Sequence, residues 1–201
     1  MATLKGLLLG FGTAFLLGPV FFTLIKNALQ HGKNAGISTA LGIILSDMVV
    51  ISICLLATTS LIESIKTEPI VKYIGAAILL FMGIRFTFWP SVDGFDNSSE
   101  VKKSNLWEYL LQGFLVNGVN PFVFIVWIGF ITVGKNSYTN AELYLFLGSI
   151  LVGIFLTDIA KSFLAHRIKP YLKPYYLKKA YQIIGSILIG FAVRLIYFAV
   201  S

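Results

Sequence analysis

Six stretches of this chain run for about 20 residues with almost no charge, roughly the length an α-helix needs to cross the hydrocarbon core of a bilayer. They are Gly6–Ile25, Ile37–Ile62, Ile70–Phe88, Trp107–Val133, Ala141–Leu164 and Ala180–Val200. Inside a membrane no water is available to bond exposed backbone groups, so such stretches can only be helices. Composition agrees, since only 12% of residues are charged and mean hydropathy is +0.83, far from a soluble domain. The first run could imitate a signal peptide behind Lys5, but it stays apolar past Pro19 with no small-residue cleavage site, so it is read as a retained span. The fold class predicted is an all-α membrane protein of six transmembrane helices.

The runs fall into two matching sets of three. Gly42-Ile43-Ile44-Leu45-Ser46-Asp47 returns 111 places later as Gly153-Ile154-Phe155-Leu156-Thr157-Asp158. Gly18-Pro19 faces Asn120-Pro121 at an offset of 102, and Ile74-Gly75 faces Ile184-Gly185 at 110. A polar segment separates the sets. The predicted organisation is a first three-helix repeat over 1–89, a cytoplasmic linker over 90–106 and a second repeat over 107–201. A unit with an odd number of spans, copied in tandem, enters the membrane from the opposite side the second time. The halves are therefore expected to be inverted repeats, a layout common among secondary transporters.

Lys and Arg set the orientation. The connections after spans one, three and five hold Lys26, Lys33, Arg85, Lys102, Lys103, Lys161, Arg167, Lys169, Lys173, Lys178 and Lys179, while the opposite side holds Lys5, Lys66, Lys72 and Lys135. Connections 1–2, 3–4 and 5–6 are thus predicted to be cytoplasmic, with both termini outside. The net charge of +7 is read as a topology signal and a match to anionic lipid, and nucleic acid is excluded as a partner because no binding motif accompanies it. Arg85 and Arg194 read as interface anchors, and Tyr171, Tyr175 and Tyr176 as part of an aromatic belt.

A few residues interrupt the apolar runs. Proline within a helix removes an N–H and blocks the bond to the carbonyl four residues earlier, so Pro19 and Pro121 are expected to free the carbonyls of Phe15 and Asn117. Each break also starts a new half-helix, near Val20 or Phe122, whose N–H groups favour negative charge. Breaks at matching places in both halves point to a transporter's binding site. Asn117 and Asn120 add polar groups to the second break. A carboxylate at mid-membrane costs about 2.5–3.5 kcal/mol on insertion scales. Asp47, with no Lys or Arg within a turn of it, is therefore expected to face the bundle interior and bind substrate or a proton. Asp158 has Lys161 three residues on, so a structural ion pair explains it as well as a functional role does. Gly32-Lys33-Asn34-Ala35-Gly36 reads as a tight turn before span two. The candidate substrate- or ion-binding residues are Gly18, Pro19, Asp47, Asn117, Asn120, Pro121 and Asp158. No catalytic set, cofactor or metal site is predicted. The single Cys54 excludes dithiol chemistry, and His31 and His166 lack the spacing of a metal cluster.

In these residues the chain resembles the lysine exporter (LysE/RhtB) family of amino-acid efflux transporters. The resemblance is carried by Gly18-Pro19, Gly32-Lys33, Ala35-Gly36, Ala40-Leu41-Gly42 and Asp47 in the first half. In the second half it is carried by Gly113-Phe114-Leu115, Asn117 and Asn120-Pro121. It implies export of amino acids or related small zwitterionic metabolites across the bacterial inner membrane, driven by a proton or sodium gradient. Two positions depart from the family pattern: Phe122 stands where Lys often follows Asn-Pro, and Ser46 where Gly usually precedes the acid. The partners expected are a small-molecule substrate and membrane lipid, with a homodimer left open. Three other readings are weighed. An exporter of an inorganic cation or other small ion would share the architecture. An intramembrane aspartyl protease would use Asp47 and Asp158 but carries Gly-x-Gly-Asp, whereas Ser46 and Thr157 precede the acids here. A structural scaffold would not need paired breaks and carboxylates.

Overall fold

The structure is a computed structural model that describes residues 1–13, 18–67, 69–89, 105–168 and 174–200. Its described residues form eight α-helices: α1 (Ala2–Gly12), α2 (Pro19–His31), α3 (Lys33–Thr67), α4 (Pro69–Phe88), α5 (Leu106–Gly118), α6 (Pro121–Ser137), α7 (Asn140–Ile168) and α8 (Pro174–Val200). Each predicted span is helical where it is described, apart from breaks at Gly18 in the first and at Val119 and Asn120 in the fourth. Two stretches, Lys33–Leu56 and Asn140–Arg167, are long and apolar enough to cross a membrane unbroken, and α5 with α6 form a third as a pair bent by 69°. The Phe15 carbonyl, most of the linker and Tyr171 lie outside the described residues.

Local chemistry sets the boundaries. Pro19 and Pro121 both stand at the first turn of a helix, where a missing N–H has no intrahelical partner to lose. Thr139 precedes α7, and the Glu142 carboxylate accepts from its backbone N–H at 3.2 Å and its hydroxyl at 3.0 Å, in the manner of a capping box. The expected turn before span two is a corner at Gly32, whose φ of +89° with ψ of 170° is open to glycine almost alone. Its carbonyl accepts the N–H groups of Ala35 and Gly36 at 3.1 and 3.3 Å. Nothing lies within 4 Å of a Cβ added there, so Gly32→Ala meets backbone strain without a clash. The substitution is expected to cost about 1–3 kcal/mol, read as a lowered melting temperature of the protein in detergent.

The chain divides into two compact units, residues 1–58 with 97–169, and 59–96 with 170–201. In the second unit α4 packs along α8, where Gly83 and Gly185 bring the backbones together: a Cβ on Gly83 would sit 2.8 Å from the Gly185 carbonyl. The first unit holds α1, α2, α5, α6, α7 and most of α3. Its core is built from Val50, Ile51 and Cys54 of α3, Trp127 and Ile131 of α6, and Leu143, Phe146, Leu147 and Ile150 of α7.

Two crossings in the first unit are closed by glycine. On α1 against α7, a Cβ at Gly10 would overlap the Ile150 carbonyl, and one at Gly153 would lie 2.9 Å from the Leu7 carbonyl. On α5 against α3, a Cβ at Gly113 would overlap the Thr39 carbonyl, and one at Gly42 the Leu110 carbonyl. The residues correspond pair by pair: Leu7 with Leu110 and Gly10 with Gly113 at an offset of 103, Thr39 with Ile150 and Gly42 with Gly153 at 111. Small residues at helix crossings let backbones approach, which is how apolar helices associate where no hydrophobic drive exists between them. Each crossing joins a helix of the first half of the sequence to one of the second.

Candidate functional site

Asp47 projects from the middle of α3 and is 3% exposed. The close α3–α5 crossing brings the last turn of α5 beside it, and the bend after α5 returns α6 to the same place. Asn117 of α5 donates through Nδ2 to Asp47 Oδ1 at 2.8 Å, and the same nitrogen reaches the Ile43 carbonyl at 3.3 Å. Trp127 of α6 donates through Nε1 to Asp47 Oδ1, also at 2.8 Å. Both donors are neutral and both use one oxygen. No Lys or Arg pairs with Asp47 among the described residues; the sole described salt bridge is that of Asp158. A carboxylate so placed is held by geometry while its charge stays unmatched.

The bend that positions these groups is built differently from the sequence expectation. The Asn117 carbonyl is not free: the chain turns so tightly that the Asn120 N–H reaches it at 3.1 Å. Nor is the start of α6 an open anion site. Asn120 caps it, its Oδ1 accepting the Phe122 N–H at 3.1 Å, and its carbonyl takes the Val123 N–H at 3.0 Å. Phe122 and Val123 therefore leave the Gly118 and Val119 carbonyls without the bonds a continuous helix would give them. Among the described residues, the backbone acceptors released by the break are these two, one and two residues past the position expected.

Asp158 lies on α7 and is 6% exposed. It does not share Asp47's surroundings. Lys161 Nζ stands 2.9 Å from Asp158 Oδ1 in the expected i,i+3 ion pair, and the same ammonium lies 5.6 Å from the centre of the Phe21 ring. Of the two carboxylates, 111 residues apart in sequence, one is neutralised and the other has no cationic partner among the described residues.

Gly18 and Pro19 open α2, with Gly18 extended at φ −162° and no side chain capping the helix start. No hydrogen bond among the described residues ties them to Asp47. The structure therefore gathers Asp47 and Asn117 at the α5–α6 bend that Asn120 and Pro121 make, pairs Asp158 with Lys161 on α7, and leaves Gly18 and Pro19 at a separate helix start. Sequence reading missed Trp127. It also missed a buried amide, Asn27, which donates to Thr39 Oγ1 and Gln112 Oε1 at 2.9 Å each and so joins α2, α3 and α5. An Asn inside an apolar helix face was the available signal.

Known proteins place the chain. The LysE type translocator family model matches residues 11–198. The uncharacterized membrane protein YrhP of Bacillus subtilis (strain 168) is 26% identical over 182 residues, covering 85% of this chain and 86% of that protein. The uncharacterized membrane protein YahN of Escherichia coli (strain K12) is 25% identical over 196 residues, covering 94% and 86%. No solved structure matches. With a match spanning nearly its whole length, and a buried, uncompensated carboxylate beside a broken apolar helix, the chain belongs to the LysE type translocator family, whose members are membrane transporters rather than enzymes.

Proposed function

We propose that the protein exports amino acids or related small zwitterionic metabolites across the bacterial inner membrane, coupled to a proton or sodium gradient. One observation carries this reading: Asp47 is buried in an apolar helix, held by two neutral donors, and has no cationic partner among the described residues. Ionisable groups in membrane helices are expensive and mark substrate or proton pathways. The ammonium group of the substrate, or a proton, supplies the missing charge on Asp47. The substrate carboxylate goes to the start of α2, where no side chain among the described residues caps the helix, rather than to α6, where Asn120 does.

In this reading the halves 1–89 and 107–201 are inverted repeats. Connections 1–2, 3–4 and 5–6 face the cytoplasm, and the segment 90–106 joins the halves there. The support is the glycine-to-carbonyl contact made twice with corresponding residues. The same contacts bear on mechanism. Because α1 is seated on α7, and α3 on α5, each pair moves as one piece, and access alternates between such cross-repeat pairs rather than between intact repeats. Asp158, already paired with Lys161, serves as a neutral packing element.

The test is export itself. Cells lacking their own amino-acid exporters are loaded with dipeptides, and release of the free amino acids is followed with and without the protein. Faster release of one class of amino acid is expected. No acceleration for any amino acid, with the protein inserted in the membrane, would remove amino acids from the reading.

A further inference from the structure

Most described Ser and Thr hydroxyls on these helices follow one habit, and Ser38, which does not, donates across to the Leu106 carbonyl. Thr39, Ser52, Thr132, Ser149, Thr157, Ser162 and Ser186 each donate to a carbonyl three or four residues back, at 2.7–2.9 Å. This is the cheap way to satisfy a hydroxyl inside an apolar helix. Ser46 breaks the habit. It is 1% exposed, and its Oγ has no hydrogen-bond partner. Its counterpart 111 residues on, Thr157, makes the ordinary bond, to the Ile154 carbonyl. Ser46 instead lies against the end of α5, where a Cβ added to Gly118 would stand 3.0 Å from its Oγ. Thr87 is the other buried hydroxyl without a partner among the described residues, but it is wedged into the α4–α8 crossing against Gly185, with no carboxylate next to it in sequence. Buried polar atoms are nearly always bonded, so an orphan that has forgone an available helix bond signals an absent partner.

The neighbours of that hydroxyl define the partner. Asp47, the next residue of α3, commits Oδ1 to Asn117 and Trp127 and leaves Oδ2 unused. Gly118, against which Ser46 lies, has a carbonyl released by the bend, as has Val119. Every group on offer is an oxygen acceptor, which suits a hard cation or an ammonium group. The set carries one negative charge, which matches a single positive charge, whereas divalent sites gather several carboxylates. A proton on Asp47 would answer the carboxylate and leave Ser46 as it is.

We infer that Ser46 Oγ and Asp47 Oδ2, beside the released carbonyls of the α5–α6 bend, form a binding site for a monovalent cation, supplied as a sodium ion or as the ammonium group of the solute. This deepens the reading of Asp47 as the transport site. The experiment uses the full chain purified in detergent with Trp89→Phe and Trp107→Phe, both exposed positions, so that Trp127 is the only indole. Its emission and the melting temperature are followed while sodium chloride or methylammonium chloride replaces choline chloride at constant ionic strength. Saturable change with sodium, with methylammonium or with both is expected, and the responding salt names the source. Ser46→Ala should raise the half-saturating concentration at least 10-fold while the melting temperature in choline stays equal or rises, because an unbonded hydroxyl has been removed. Thr157→Ala should leave half-saturation unchanged. Silence with both salts, or an unaltered half-saturation in Ser46→Ala, overturns the site. Amino-acid release by a protein silent to both salts sinks this inference alone. A cation response dependent on Ser46, in a protein that releases no amino acid, sinks only the proposed substrates.

Discussion

Asp47→Asn will abolish measurable efflux while leaving the protein folded and inserted. The substitution separates the two roles a buried carboxylate can play. Asn keeps a carbonyl oxygen where Asp47 Oδ1 accepts Asn117 Nδ2 and Trp127 Nε1, both at 2.8 Å, so the clip between α3, α5 and α6 survives. What it loses is the charge, and the second oxygen becomes an N–H donor that repels a cation. A hydrogen bond to a charged group is worth about 1.5–3 kcal/mol, which corresponds to roughly 10- to 100-fold in affinity or rate. Loss of at least that size is expected in release from dipeptide-loaded cells, with surface-accessible tags confirming equal insertion. Trp127→Phe removes one donor and keeps the charge, so it should slow efflux without stopping it. Wild-type efflux by Asp47→Asn would make the carboxylate a packing feature and end the transport reading of this site.

The parts of the molecule that were legible in the sequence are those set by neighbours along the chain. Apolar runs located the helices, Pro121 located the bend, and the three-residue spacing of Asp158 and Lys161 gave their ion pair. Helical geometry makes such relations local. The donors to Asp47 lie 70 and 80 residues away and meet it only because Gly42 and Gly113 let α5 lie against the α3 backbone. Nothing in the periodicity of α6 distinguishes Trp127 from any other core aromatic. The bend itself was legible as a bend but not in detail. Proline says that the helix bond to Asn117 is lost, yet the tight turn hands that carbonyl to Asn120 and releases Gly118 and Val119 instead. The cap on Phe122 was hidden for the same reason: an Asn before Pro announces a helix start, and whether its side chain keeps the N–H or leaves it for a ligand is a matter of rotamer.

Lys161→Met should be the most destabilising single change at the second carboxylate, and a second substitution should cure it. Lys161 and Asp158 are 13% and 8% exposed at the side chain, and the ammonium is 2.9 Å from the carboxylate. Removing one partner of a buried pair leaves the other charge unanswered and costs about 3–5 kcal/mol, whereas replacing both with apolar groups is neutral or stabilising by about 1–4 kcal/mol. Lys161→Met alone is therefore expected to lower the melting temperature sharply in detergent, and the double variant Asp158→Leu/Lys161→Met to restore it. The activity of the double variant then assigns Asp158. If the pair is packing, as its closed geometry indicates, the restored protein exports at near the wild-type rate. A restored fold without export would place Asp158 in the transport cycle beside Asp47, with Lys161 as the charge that Asp158 exchanges for the cargo. Asp47 gives the contrasting pattern, losing activity with stability intact. The two carboxylates lie 111 residues apart, and if their roles divide in this way, the lysine one turn away from Asp158, with Val50 at the matching place beside Asp47, accounts for it.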